Sequence, residues 1–206
     1  MRQAVRTLTI GLGLLFALSG ATALIYQIAW QRLIFITLGV ELSVVTIVIS
    51  AFMLGLGLGG IVGGWAADYF PKHRVKLFSI SEFGIGIFGA LSPYIFSSFG
   101  DLSASHAMSN AETYAIIFFI LLIPTTLMGA TLPILVTQLS HHWKHIGRST
   151  GALYAANTFG AMAGSFAAGY FIFNHMELSQ TIYIASGANM FIAAAASVLS
   201  FMRPDA

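Results

Sequence analysis

Residues 42–67 read Leu42-Ser-Val-Val-Thr-Ile-Val-Ile-Ser-Ala-Phe-Met-Leu-Gly-Leu-Gly-Leu-Gly-Gly-Ile-Val-Gly-Gly-Trp-Ala-Ala67, 26 positions without a charge between Glu41 and Asp68. A helix needs about 20 apolar residues to cross the hydrocarbon of a bilayer, and this run exceeds that. The rest of the chain is cut the same way. Uncharged windows run from Arg6 to Arg32, Lys76 to Asp101 (broken only by Glu82), Glu112 to Lys144, Arg148 to Glu177 and Glu177 to Arg203. None is long enough for two crossings. The windows predict six transmembrane helices near 8–30, 42–66, 77–99, 113–139, 149–173 and 179–201. The fold class is therefore all-α integral membrane, a single domain over residues 1–206. A membrane β-barrel would alternate polarity over strands of about 10 residues, and these runs do not alternate.

Composition agrees. Of 206 residues 57% are hydrophobic and 8% charged, against about 25% charged in a soluble domain. A soluble enzyme, a disordered tail and a disulfide scaffold are excluded, and with no Cys there is no thiolate chemistry. A net charge of +2 gives nucleic acid little to hold. The positions of the charges say more. With the N-terminus inside, the cytoplasmic segments hold Arg2, Arg6, Lys72, Arg74, Lys76, Lys144, Arg148 and Arg203, and the outer loops hold Arg32 alone. That bias places both termini in the cytoplasm, with the bacterial inner membrane as the expected location. The start also reads as a secretory signal ending at Ala21-Thr22-Ala23. Its apolar run continues through Leu24, Ile25, Ile28 and Trp30, past a signal core of about 7–15 residues.

Glycine is in register on two helices. Gly55, Gly59 and Gly63 repeat every four residues on the second, and Gly160 and Gly164 on the fifth. Residues four apart share a helix face, and small residues let helices approach closely in lipid. Such faces pack within one subunit, or form a seam against a second copy.

Polar groups at membrane depth are costly and tend to face partners or water. Glu82 reads as a carboxylate reaching back to the inner interface and a cation such as Arg74 or Arg148, or as a protonatable coupling site. Tyr26 and Trp30 read as an interfacial aromatic belt, or with Gln27 as a cavity wall. Tyr154 and Asn157 share a face of the fifth helix and suit a cavity or interhelical bonding. The fourth helix carries Pro124-Thr125-Thr126-Leu127-Met128-Gly129-Ala130-Thr131-Leu132-Pro133. Each proline removes a donor and bends the helix, and Thr125, Thr126 and Thr131 supply hydroxyls to a gate or to freed carbonyls. His141, His142 and His145 form a basic inner cluster with no acid nearby, so no metal site is expected. No nucleotide, hydrolase or metalloprotease motif appears, and neither cofactor nor enzymatic activity is expected. The run Gly55–Gly64 superficially resembles a nucleotide loop but lies within a span.

The inner loop Gly63-Gly64-Trp65-Ala66-Ala67-Asp68-Tyr69-Phe70-Pro71-Lys72-His73-Arg74 resembles the signature loop of the major facilitator superfamily, with Phe70-Pro71 in place of the usual glycine. The segments Ser19–Arg32, Glu82–Gly86, Pro124–Pro133 and Gly151–Gly160 together resemble the membrane region of fused major facilitator/spermidine synthase-like proteins over nearly the whole chain. That family usually has Glu where this chain has Gln27, and its synthase-like domain lies outside this sequence. The resemblance implies half of a twelve-helix fold, with an inverted three-plus-three repeat of which no sequence echo is apparent. It implies that the first and fourth helices line a cavity and that the second and fifth form a seam. The expected function is a facilitator-type carrier of a small, polyamine-like solute, working by alternating access as a homodimer. Its seam would run along Gly55, Gly59, Gly63, Gly160 and Gly164, with Asp68 and Arg74 as inner gate. The alternative is a non-transporting membrane scaffold for a soluble synthase-like partner.

Overall fold

The computed structural model describes residues 2–39, 41–105, 109–140 and 146–201. All of the long elements are helical, because a backbone in lipid must satisfy its own hydrogen bonds. We label them α1 (Arg2–Leu38), α2 (Glu41–Tyr69), α3 (Arg74–Ala104), α4 (Asn110–Ser140), α5 (Ile146–Ala167) and α6 (Leu178–Phe201). A 3-10 turn, Pro71–His73, joins α2 to α3. A π-helical turn, Ala168–Ile172, and a last turn, Phe173–His175, prolong α5. Five helices, α1 to α4 and α6, are long and apolar enough to cross a membrane. The fifth, richer in Gly, Ala and Ser, is not among them. With its prolongation it covers residues 146–175, about 45 Å at 1.5 Å per residue.

Local chemistry sets the ends. Gly39 closes α1 at φ 74°, a left-handed cap that glycine adopts without strain, and its N–H bonds Phe35 O at 2.8 Å. Ser109 and Glu112 form a reciprocal capping box at the start of α4: Ser109 N donates to Glu112 Oε2 at 2.9 Å, and Glu112 N to Ser109 Oγ at 3.3 Å. Pro71 opens the 3-10 turn. Helix α1 runs unbroken through Ala21-Thr22-Ala23, and the two prolines of α4 lie inside one continuous helix.

The glycine faces are filled within the chain. A Cβ at Gly55 would strike Thr125. One at Gly59 would lie 2.8 Å from Gly129 Cα, and one at Gly63 would lie 2.5 Å from Ala130 Cα. A Cβ at Gly160 would meet Ala17, and one at Gly164 would lie 2.6 Å from Ala21 Cα. So α2 packs along α4 and α5 along α1, each pair parallel, with main chains nearly touching. This corrects the expectation that these glycines face a second copy.

The pairings repeat. Exchanging α1, α2 and α3 for α4, α5 and α6 turns the α1/α5 seam into the α4/α2 seam and the α3/α4 contact into α6/α1, and it leaves α3/α6 in place. The match holds residue by residue. Gly20 lies against Asn157 with Ala17 and Ala21 on Gly160 and Gly164; Gly129 lies against Leu56 with Thr126 and Ala130 on Gly59 and Gly63. Thr22 Oγ1 donates to Ser19 O, and its equivalent Thr131 Oγ1 to Met128 O. Trp65 stacks on Tyr69 at 5.4 Å, and Phe166 stacks on Tyr170 at 4.9 Å. Ser79 Oγ donates to Ala193 O at 2.7 Å, and Ser186 Oγ donates to Gly86 O at 2.8 Å. The repeat does leave a sequence echo, Gly20-Ala21-Thr22 against Gly129-Ala130-Thr131. It continues in Gly59-x-x-x-Gly63-x-Trp-Ala-Ala-x-Tyr-Phe70 against Gly160-x-x-x-Gly164-x-Phe-Ala-Ala-x-Tyr-Phe171. Since α3 and α6 are antiparallel while the other two pairs are parallel, the units are inverted. Their two-fold axis passes where equivalent residues touch, at Glu82 and Asn189.

Candidate functional site

Between the α1/α5 and α2/α4 seams lies a groove of about 540 Å³. Helix α1 contributes Phe16, Ser19 and Ala23; α2 contributes Leu56 and Gly60; α5 contributes Thr150, Tyr154 and Asn157. The rest is α4, including Met128, Thr131 and Pro133. No acidic or basic side chain lines it. Its polar groups are hydroxyls and one amide on a largely apolar wall, the usual composition of a small-molecule cavity.

Of the residues expected on a cavity wall, Thr131, Tyr154 and Asn157 are there. Tyr26 and Trp30 are not. Both are fully buried, stacked at 4.7 Å, and Trp30 Nε1 donates to Ser92 Oγ at 2.8 Å. They form the core between α1 and α3, not a belt or a wall, because the next turn of α3 offers Gly89 as a recess for the Tyr26 ring. Gln27 is half-buried and off the wall. Thr125 is buried in the α2/α4 seam, donating to Leu121 O at 2.7 Å and Ala51 O at 3.3 Å. Thr126 presents its carbonyl to Gly59 in the same seam. The hydroxyl bonds of Thr125 and Thr131 go to Leu121 and Met128, next to the Ile120 and Gly129 carbonyls that the prolines leave without an N–H.

The inner gate is also different. Arg74, buried, donates through Nε to Ala67 O at 2.9 Å and through Nη1 to Thr137 O at 3.3 Å. It ties the last turns of α2 and α4 together, where carbonyls lack helical partners. Asp68 is exposed and makes no hydrogen bond to Arg74, though its charge still acts on the guanidinium. His141, His142 and His145 lie outside the described residues. Among the described residues no cluster of three or more His, Asp or Glu is placed to hold a metal.

Glu82 does not reach the interface. It is fully buried. Ser19 Oγ donates to its Oε1 at 2.6 Å, and Asn189 Nδ2 to its Oε2 at 2.7 Å. Ser19 also lines the groove, so the carboxyl sits one hydroxyl behind the wall. Ser19 and Asn189 were not anticipated. Asn189, the sole amide between Thr181 and Phe201, was the available signal, since an amide in mid-span needs a partner. No family model, curated protein or solved structure matches the chain.

Proposed function

We propose that the chain is a half-sized, facilitator-type carrier that spans the membrane six times, with both termini cytoplasmic, and works as a pair of copies whose grooves face each other. The observation that carries this reading is the groove itself. It is a cavity with hydroxyls and an amide at membrane depth, held between two seams that an inverted repeat makes equivalent. Inverted three-helix units around a midplane site are the usual architecture of alternating access, since exchanging the two units' conformations exchanges the open side. The Lys/Arg bias supports the orientation. With both glycine faces occupied, the paired copies would meet along the outer edges of α2 and α5 that flank the groove.

A wall without an acid favours a neutral, mostly apolar solute with a few hydroxyl or carbonyl groups over a polyamine, whose ammonium groups would enter uncompensated. The test is uptake into proteoliposomes, comparing a panel of neutral solutes with spermidine, alongside native mass spectrometry in detergent. Saturable uptake of a neutral solute by dimers is expected. Purified monomers that move nothing and retain a soluble enzyme would overturn the carrier in favour of a scaffold.

A further inference from the structure

We infer that Glu82 is a proton-binding site, exchanging its proton with the groove through Ser19 and using the Asn189 amide as a partner for both protonation states. The first support is position. Glu82 meets Asn189 on the axis relating two inverted units, so it lies deep in the bundle, at the middle of α6 and opposite the middle of α1. The groups that face it are neutral: Ser19 from α1, and Asn189 from α6. Tyr26 and Ser186 lie further along the same α1, α3 and α6 seam, and from α4 Leu127 packs on the neighbouring Gly84. Of the cations on its own helix, Lys76 holds its Nζ 6.0 Å from the centre of the Phe201 ring, and Arg74 is turned to the Ala67 and Thr137 carbonyls. A carboxylate with no exposure, and with no counter-charge among the described residues, is expensive in such a place, and a bound proton removes that charge.

The second support is independent. Asn189 Oδ1 is buried with no hydrogen-bond partner, and an unpaired buried acceptor costs free energy. In the arrangement seen, Nδ2 donates to Oε2, as suits the ionised form. Half a turn of the amide brings Oδ1 to the carboxyl, where a protonated Oε2 supplies the missing donor. Release balances simply. The carboxyl first turns to present this O–H to Ser19 Oγ, which lies on Oε1 in the arrangement seen, and the Glu82 O–H bond breaks as Ser19 Oγ takes the proton. The Ser19 hydroxyl proton passes at the same time to a water in the groove, leaving carboxylate and hydronium. Uptake is the reverse.

The experiment is infrared difference spectroscopy of the full chain in lipid nanodiscs across a pH series. The expected result is a protonated-carboxyl C=O band that disappears on alkalinisation and is missing from Glu82→Gln at every pH. In Ser19→Ala the band should remain but exchange with deuterium about a hundredfold more slowly, the scale of a lost proton relay. If Glu82→Gln fails to fold, carbon-13 glutamate labelling of the wild type identifies the same band by its isotope shift. Identical spectra for wild type and Glu82→Gln, or no titrating glutamate band, would overturn the site, and wild-type exchange in Ser19→Ala would overturn the relay. A titrating band in a protein that transports nothing upholds this inference and counts against the carrier.

Discussion

The internal seams make a sharp prediction for Gly63→Ala. The added Cβ would lie 2.5 Å from both Ala130 Cα and Ala130 O, where ordinary contact begins at 3.4 Å. Neither atom belongs to a flexible side chain, so α2 and α4 must separate by roughly 1 Å, forfeiting a quarter to a half of each dispersion well along the seam. Overpacking of this kind costs about 1–3 kcal/mol, and the upper half of that range fits a clash with main chain. At about 2–4 °C per kcal/mol for a chain of this size, the melting temperature should fall by about 5–10 °C. Gly164→Ala, its repeat equivalent against Ala21, should fall by a similar amount. Gly60→Ala is the control: nothing lies within 4 Å of its Cβ, so its stability should change by no more than about 0.5 kcal/mol. The assay is thermal unfolding in detergent by circular dichroism, with size-exclusion chromatography of the folded fraction. Gly63→Ala that melts like wild type, or that dissociates dimers without lowering protomer stability, would refute an internal seam. So would an equal loss in Gly60→Ala.

Other variants separate roles within the bundle. Arg74→Lys cannot reproduce two carbonyl contacts from a planar fork and should lose about 2 kcal/mol in thermal unfolding, while Asp68→Asn should stay within about 0.5 kcal/mol, as exposed charges do; equal losses would restore the Asp68–Arg74 gate. Thr131→Val and Asn157→Leu should weaken solute uptake per folded molecule severalfold, whereas Thr125→Val should leave it unchanged; Thr131→Val and Thr125→Val should each lower stability by about 1 kcal/mol through a lost carbonyl bond. Ser79→Ala and Ser186→Ala each remove the equivalent carbonyl bond across α3/α6 and should each lose about 1 kcal/mol for it; Ser79→Ala also removes the contact with Ser197 Oγ and should lose more, so a larger loss in Ser186→Ala would count against the repeat.

Five of the six expected spans were legible because a charge in hydrocarbon is costly, so Glu41, Asp68 and Glu112 act as punctuation. The glycine spacing was legible as close packing, but its partner was not. Periodicity reports a helix face, not what covers it, and a seam with α4 of the same chain leaves the same pattern as a seam with a second copy. The wall was legible in Thr131, Tyr154 and Asn157, which project from two neighbouring seams. Tyr26 and Trp30 misled because amphipathic rings near a span's end suit an interface, while the recess at Gly89 that buries them lies sixty-odd residues away in sequence.

The places where the two units differ are as informative as those where they agree. Gly59 with Gly160, Gly63 with Gly164 and Ala21 with Ala130 are preserved because each pair does the same packing work in one of two equivalent seams. Asp68 corresponds to Gly169, Arg74 to Thr181, Ser19 to Met128 and Glu82 to Asn189. The first two differences put a charge on one unit where its counterpart carries none. Glu82 and Asn189 lie at the axis, where a residue touches its own counterpart. Two carboxyls meeting there would repel in a dry core, so a working acid requires an unlike partner, and an amide can both donate to it and accept from it. Ser19 then gives the acid its second bond and its path to the groove. The corresponding Met128 carries no such donor, and Asn189 Oδ1 has none. Symmetry thus accounts for the scaffold, and its local failure accounts for a single ionisable group with one route out.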